Sequence, residues 1–332
     1  MADYIYGSAN VRALEAGIIG RERIARLLEV KSTEDAYRML SEFGIPLVTD
    51  PESGAVLREA TLLGILKNTY AHMAELAPQS DALSLWLCPY DCNNLKAAIK
   101  ASARGIDPSS MLFDFGSVPA EEIAEMAAHA DFSKFPPSLC RAVEKAAAEF
   151  SKTKNPQVVD LILDRACYAE MSAAAIRSGN EYVLSLVKTK ADLTNLMIVV
   201  RILRMKSGSA GEALLEEALV EGGSLSREAL LAFFREGEEK LWKQLRRNSR
   251  YAALEQAVAA TDGSLAALER VADDFLMEKI KTAKYCLGGV EIMVAFLLAH
   301  EYEVKNLRIL LAGKEAGLPA ATIRERIRES YV

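Results

Sequence analysis

The sequence predicts an all-α protein, and three observations lead there. Of 332 residues only 19 are Gly and 10 Pro, Ala and Leu are abundant, and runs of β-branched residues are short. That balance favours helix over strand. Helix-start chemistry also recurs at intervals along the chain. Finally, one helical stretch occurs three times: Asp91-Cys-Asn-Asn94-Leu95-Lys96, Asp192-Leu-Thr-Asn195-Leu196-Met197 and Glu303-Val-Lys-Asn306-Leu307-Arg308. An acid and an Asn three apart share a helix face, and the Leu shares a neighbouring face with an apolar residue four later. Asn is a mediocre helix former. Its return at near-equal spacing, 101 and then 111 residues on, predicts a threefold internal repeat with a packing role for this Asn.

In chain order, residues 4 to 16 read as a short helix capped near Ser8 and ended by Gly17. Ile19-Gly20-Arg21-Glu22-Arg23-Ile24 then opens a second helix. Its pattern returns at Val118-Pro119 to Ile123, at Leu225-Ser226 to Leu230 and at Leu318-Pro319 to Ile323. Each has an apolar residue, a residue suited to a helix start, and a further apolar residue in the first turns. The two markers keep step: Ile24 to Asn94 is 70 residues, Ile123 to Asn195 is 72, and Leu230 to Asn306 is 76.

The chain therefore divides into a first repeat with the N-terminal helix (1–112), a second (113–218), and a third with a closing C-terminal helix (219–332). A period near 100 residues is too long for a stacked solenoid. Each repeat opens with a short helix pair: 20–29 with 32–43, 119–129 with 136–150, and 226–235 with 238–248. Longer amphipathic segments follow at 56–76, 156–178 and 264–286, and the Asn helix closes each repeat. Breaks are predicted at 44–54, 105–108, Pro136-Pro137, Gly208-Ser-Ala-Gly211 and Gly288-Gly289.

Composition narrows the function. A net charge of −6 argues against a dedicated nucleic-acid binder. The N-terminus lacks the basic and apolar regions of a signal peptide, and the longest apolar stretch, near Val290 to Ala299, is far short of a membrane span. The five cysteines have no framework spacing and read as reduced cytosolic thiols. No catalytic, metal or cofactor constellation emerges. Gly313-Lys314 to Gly317 lacks phosphate-loop spacing, His72, His129 and His300 fall in different repeats, and Cys88 with Cys92 reads as a packed thiol pair. Asp273-Asp274 reads as the acidic start of a helix. The basic run Lys240, Lys243, Arg246, Arg247, Arg250 is either a solvated helix face or a dock for an acidic partner or lipid head groups. The three motif asparagines either tie their helices to neighbouring backbone or line a central cavity.

With these motifs in place the chain resembles the C subunit of the V-type/A-type rotary ATPases, called the d subunit in eukaryotic versions. The resemblance rests on Tyr4-x-Tyr6-x3-Asn10-x-Arg12-x-Leu14-Glu15, Tyr90-Asp91-x2-Asn94-Leu95-Lys96, and Asp192-x2-Asn195-Leu196 with Arg201. It continues in Glu303-Val-Lys-Asn306-Leu307-Arg308-Ile309, Gly317-Leu-Pro319 and Ile323-Arg324-Glu-Arg326. Met197 stands where the other two copies carry a basic residue.

The resemblance implies a funnel of three helical lobes about a pseudo-threefold axis. It implies a non-catalytic socket that receives the central rotor shaft and sits on the membrane rotor (proteolipid) ring at the cytoplasmic face, transmitting torque between ATP turnover and proton or sodium transport. Contacts to shaft and ring should then be polar and partly wet, with Lys96, Arg201, Arg308 and the Lys240–Arg250 run as candidates. The alternatives are a free-standing helical-repeat scaffold and, more remotely, an all-helical enzyme.

Overall fold

A computed structural model describes residues 4–77, 80–205 and 208–332. Helices account for nearly all its regular structure; an isolated antiparallel bridge, Thr49 to Val56, closes the turn after the 33–42 helix. The first four helices are α1 (Ile5–Leu14), α2 (Arg21–Glu29), α3 (Thr33–Glu42) and α4 (Arg58–Leu76). Next come α5 (Asp81–Ser84), α6 (Cys88–Ser102), α7 (Ala120–His129), α8 (Pro137–Thr153), α9 (Pro156–Arg177) and α10 (Glu181–Arg204). The chain continues through α11 (Gly208–Ala218), α12 (Arg227–Glu236), α13 (Glu238–Arg247), α14 (Ala252–Ala259) and α15 (Leu265–Lys281). It ends with α16 (Val290–Glu315) and α17 (Ala320–Arg324).

The helix starts follow capping chemistry. Ser32 accepts from the Asp35 amide, Asn180 from Val183, Ser226 from Ala229 and Ser264 from Ala267, each satisfying an amide that has no partner within its helix. The short pairs and long segments predicted from the sequence stand within a few residues of their expected bounds.

Four expectations need correction. Ser8 does not cap α1. It lies inside the helix and exchanges hydrogen bonds with Gly289, whose amide donates to Ser8 Oγ (2.9 Å) and whose carbonyl accepts from it (3.1 Å). Residues 208–211 are the first turn of α11 rather than a break, because the following Glu-Ala-Leu-Leu run favours helix. The closing helix after Leu318 lasts only five residues, and the chain then turns at 325–326 and continues without regular structure. Asp273 and Asp274 sit in the middle of α15 and not at its start.

The chain divides into two compact units, residues 84–242 and residues 1–83 with 243–332. In the 84–242 unit, α6 packs on α7, α8 and α9, while α10 packs on α9, α11 and α12. Leu95, Leu163, Met171, Val187, Leu196 and Val199 form its solvent-free centre. In the other unit α16 is the central element. It packs on α4, α1, α2, α3, α15 and α17. Ile292, Met293, Val294, Ala295 and Leu297 are all inaccessible, as expected of a helix that is apolar all round. Arg12 ties α1 to the turn before α16 by donating to the carbonyls of Ala283, Lys284 and Cys286. The Asn helix α6 packs on the three helices that follow it, and α16 packs on α2, α3 and α4 from the opposite end of the sequence.

Candidate functional site

The three motif asparagines are buried, at 0%, 1% and 1% exposure. Each bonds both backbone groups of a single residue downstream. Asn94 Nδ2 donates to the Phe113 carbonyl (2.8 Å) and its Oδ1 accepts from the Phe113 amide (2.9 Å). Asn195 makes the same pair with Val220, at 3.0 and 2.9 Å. Asn306 makes it with Arg328, at 3.0 and 2.8 Å. A primary amide presents a donor and an acceptor side by side, as this geometry requires. Leu95, Leu196 and Leu307, next in sequence, are all within 2% of complete burial.

The acid three residues earlier completes the joint in the first two copies. Asp91 Oδ1 accepts from the Ser117 amide and Oδ2 from its hydroxyl, both at 2.7 Å. Asp192 Oδ1 accepts from the Ser224 and Leu225 amides, at 2.9 and 2.8 Å. A residue without a side chain is needed where the loop meets the carboxylate. A Cβ on Gly223 would lie 2.2 Å from Asp192 Oδ1. The signal missed in the sequence is therefore Gly-Ser-apolar, at Gly116-Ser117-Val118 and Gly223-Ser224-Leu225, immediately before the helix starts at 119 and 226. Burial dominates the Asp91 environment and pushes its carboxyl up to about 6, against the Ser117 hydrogen bonds that pull it down.

The third copy is built differently. Glu303 is buried and turns toward His300, whose Nδ1 lies 2.6 Å from Glu303 Oε2. The loop is held instead from α15. Asp274 Oδ1 accepts from the Glu329 amide (2.6 Å), while Asp273 Oδ2 accepts from Arg328 Nε (3.0 Å) and Lys305 Nζ (2.6 Å). Beyond the clamped Arg328, the chain runs to the start of α2. There the Arg21 amide donates to the Val332 carbonyl (3.3 Å) and the Arg21 side chain pairs with Glu329 (2.6 Å). A Cβ at Gly20 would stand 2.7 Å from that same carbonyl. In the first two copies the clamped loop leads covalently into the next helix, α7 or α12. In the third it reaches the start of α2 without a covalent link.

The basic candidates are dispersed among different environments. Lys96 is largely covered and pairs with Asp164 (2.5 Å). Arg308 is exposed and pairs with Glu59 (2.9 Å). Arg201 is exposed near the end of α10. Lys240, Lys243, Arg246 and Arg247 are exposed along α13, with Arg250 exposed just beyond it and Arg246 near Glu255 at 4.0 Å. No helix among the described residues is long and apolar enough to cross a membrane. Exposed apolar side chains gather on two segments that Ser8 and Arg12 bond together. They are Ile5 and Tyr6 of α1, 72% and 74% exposed, and Tyr285 and Leu287 of the turn before α16, the former 89% exposed and the latter fully so.

These features define an all-helical protein in which the recurring Asn side chains serve internal joints. The chain belongs to the ATP synthase (C/AC39) subunit family, whose model it matches over residues 8–326. It is similar to the C subunit of the V-type sodium ATPase of Enterococcus hirae, at 25% identity over 97% of both chains. It is likewise similar to the C subunit of the A-type ATP synthase of Haloferax volcanii, at 26% identity over 97% of this chain and 96% of that one. The corresponding protein of Methanocaldococcus jannaschii is 23% identical over 98% of this chain and 86% of the relative.

Proposed function

We propose that this chain is the central-stalk socket of a V/A-type rotary ATPase. It is a non-catalytic component at the cytoplasmic face of the membrane that joins the rotor shaft to the proteolipid ring and carries torque between ATP turnover and proton or sodium transport. The observation that carries the reading is the family match along almost the whole chain, together with relatives aligned over most of their own length. Physical design supports it. A torque coupler has to be stiff, and here buried amide and carboxylate joints lock loops to long helices. Three such joints, the last closing without a covalent link, also suit three lobes about a pseudo-threefold axis, with the chain's end returning to its first repeat.

The exposed basic run on and beyond α13 offers an acidic partner a polar surface. The tyrosine-bearing patch of Tyr6 and Tyr285 offers a mixed one. Photo-crosslinkers placed at Lys240, Arg247, Tyr6 and Tyr285 in the assembled enzyme test the assignment. The proposal expects adducts with shaft or ring proteins. A chain that purifies from native membranes free of any other ATPase component would instead be a free-standing scaffold.

A further inference from the structure

Cys88, Cys92 and Cys167 converge within the 84–242 unit, although 75 residues separate the last two in sequence. Cys88 and Cys92 lie one turn apart on the same face of α6, and Cys167 comes from the middle of α9, which packs against that face. All three are buried, and their sulfur atoms lie within 4.8 Å of one another. None is joined in a disulfide.

We propose that these three thiols form a site for a soft, thiophilic metal ion, with Cu(I) as the best-fitting species and Zn(II) the next. A metal bound at about 2.3 Å to each of three sulfurs holds them roughly 4 Å apart, so the cluster needs little rearrangement to close around an ion. The donor set is all sulfur, which selects soft ions over magnesium, calcium or manganese. Among the described residues it contains three ligands and no fourth, an arrangement that trigonal Cu(I) fills completely. Zn(II) would need to complete its tetrahedron with water.

The neighbouring acid Asp91 is engaged by Ser117, and Asp164 by Lys96, so neither acid competes for the metal. Metal release is balanced by three protons taken up on the sulfurs, and binding releases up to three.

The experiment uses the full-length chain, reduced and purified without oxygen. It is loaded with Cu(I) or, separately, Zn(II), passed over a desalting column, and analysed for metal and for free thiols after denaturation. The proposal expects close to one equivalent of metal per chain and a higher midpoint of thermal unfolding in the loaded wild type. It expects Cys167→Ser and Cys88→Ser to lose at least nine-tenths of the bound metal, while Cys140→Ser, outside the cluster, keeps it. Retention of Cu(I) alone, of Zn(II) alone or of both supports the site and identifies its ion. Two results overturn the proposal. One is a fully reduced wild type that retains less than a tenth of an equivalent of either ion, a reading that does not depend on any variant folding. The other is a Cys88–Cys167 or Cys92–Cys167 disulfide that forms in preference to metal binding when both are offered.

Discussion

At the scale of single residues, the recurring Asn is a two-point backbone clamp, and its energetics follow from burial. Replacing Asn195 with Ala strands a buried amide and a buried carbonyl of Val220. At roughly 1–3 kcal/mol for each unpaired group, the loss should be about 2–6 kcal/mol. Asn195→Asp should fare no better, since it sets a carboxylate oxygen against the Val220 carbonyl. Chemical denaturation of the three proteins measures both. Asp91 makes a different prediction. Its carboxyl is raised to about 6 from an ordinary value of 3.8, so the folded state holds this proton more tightly than the unfolded chain does. Stability from this group is therefore fully present at low pH and falls as pH rises between about 4 and 6, by roughly 3 kcal/mol. The difference in unfolding free energy between wild type and Asp91→Asn, followed across that window, should carry the slope. A difference that stays flat would contradict it.

At the scale of elements, the Asn helices pack forward onto the helices that follow them in sequence, and α16 does so across the chain ends. The segment 328–332 substitutes for the loop that elsewhere runs covalently into the next helix. It is held by Asn306, Asp273, Asp274, Lys281 and Arg21, and by the Tyr331 hydroxyl, which donates to Glu15 (3.1 Å). Deleting 328–332 should therefore destabilise the unit formed by 1–83 and 243–332 by several kcal/mol, because Asn306 and Asp274 lose their buried partners. Residues 84–242 should keep their hydrogen-exchange protection. Hydrogen exchange resolved along the chain makes that comparison, and uniform loss of protection in both units would contradict it.

At the scale of the whole molecule, most of the helices and their order were legible from hydrophobic spacing and capping residues, because both signals are local, whereas α5, α11 and α14 were not. Ser32, Asn180, Ser226 and Ser264 announce their helices directly. The Asn repeat was legible too, since three copies at near-equal spacing stand out against a side chain that disfavours helix. What the Asn binds was not legible: Phe113, Val220 and Arg328 share no side-chain chemistry, because the clamp reads backbone. Asp273-Asp274 resembled a helix start in sequence, and its true role depends on a C-terminal segment 55 residues away. Cys167 had no local signal that could have linked it to Cys88 and Cys92. The forward packing of α6 and α16 was hidden for the same reason, since periodicity marks a buried face without naming what covers it. The central claim, that this family member couples rotation, is tested most directly in a purified ATPase reconstituted into vesicles with and without the chain. The account predicts that ATP hydrolysis by the soluble head persists without it while ATP-driven ion uptake is abolished, and that adding the chain back restores uptake. Undiminished ion uptake in its absence would contradict the account.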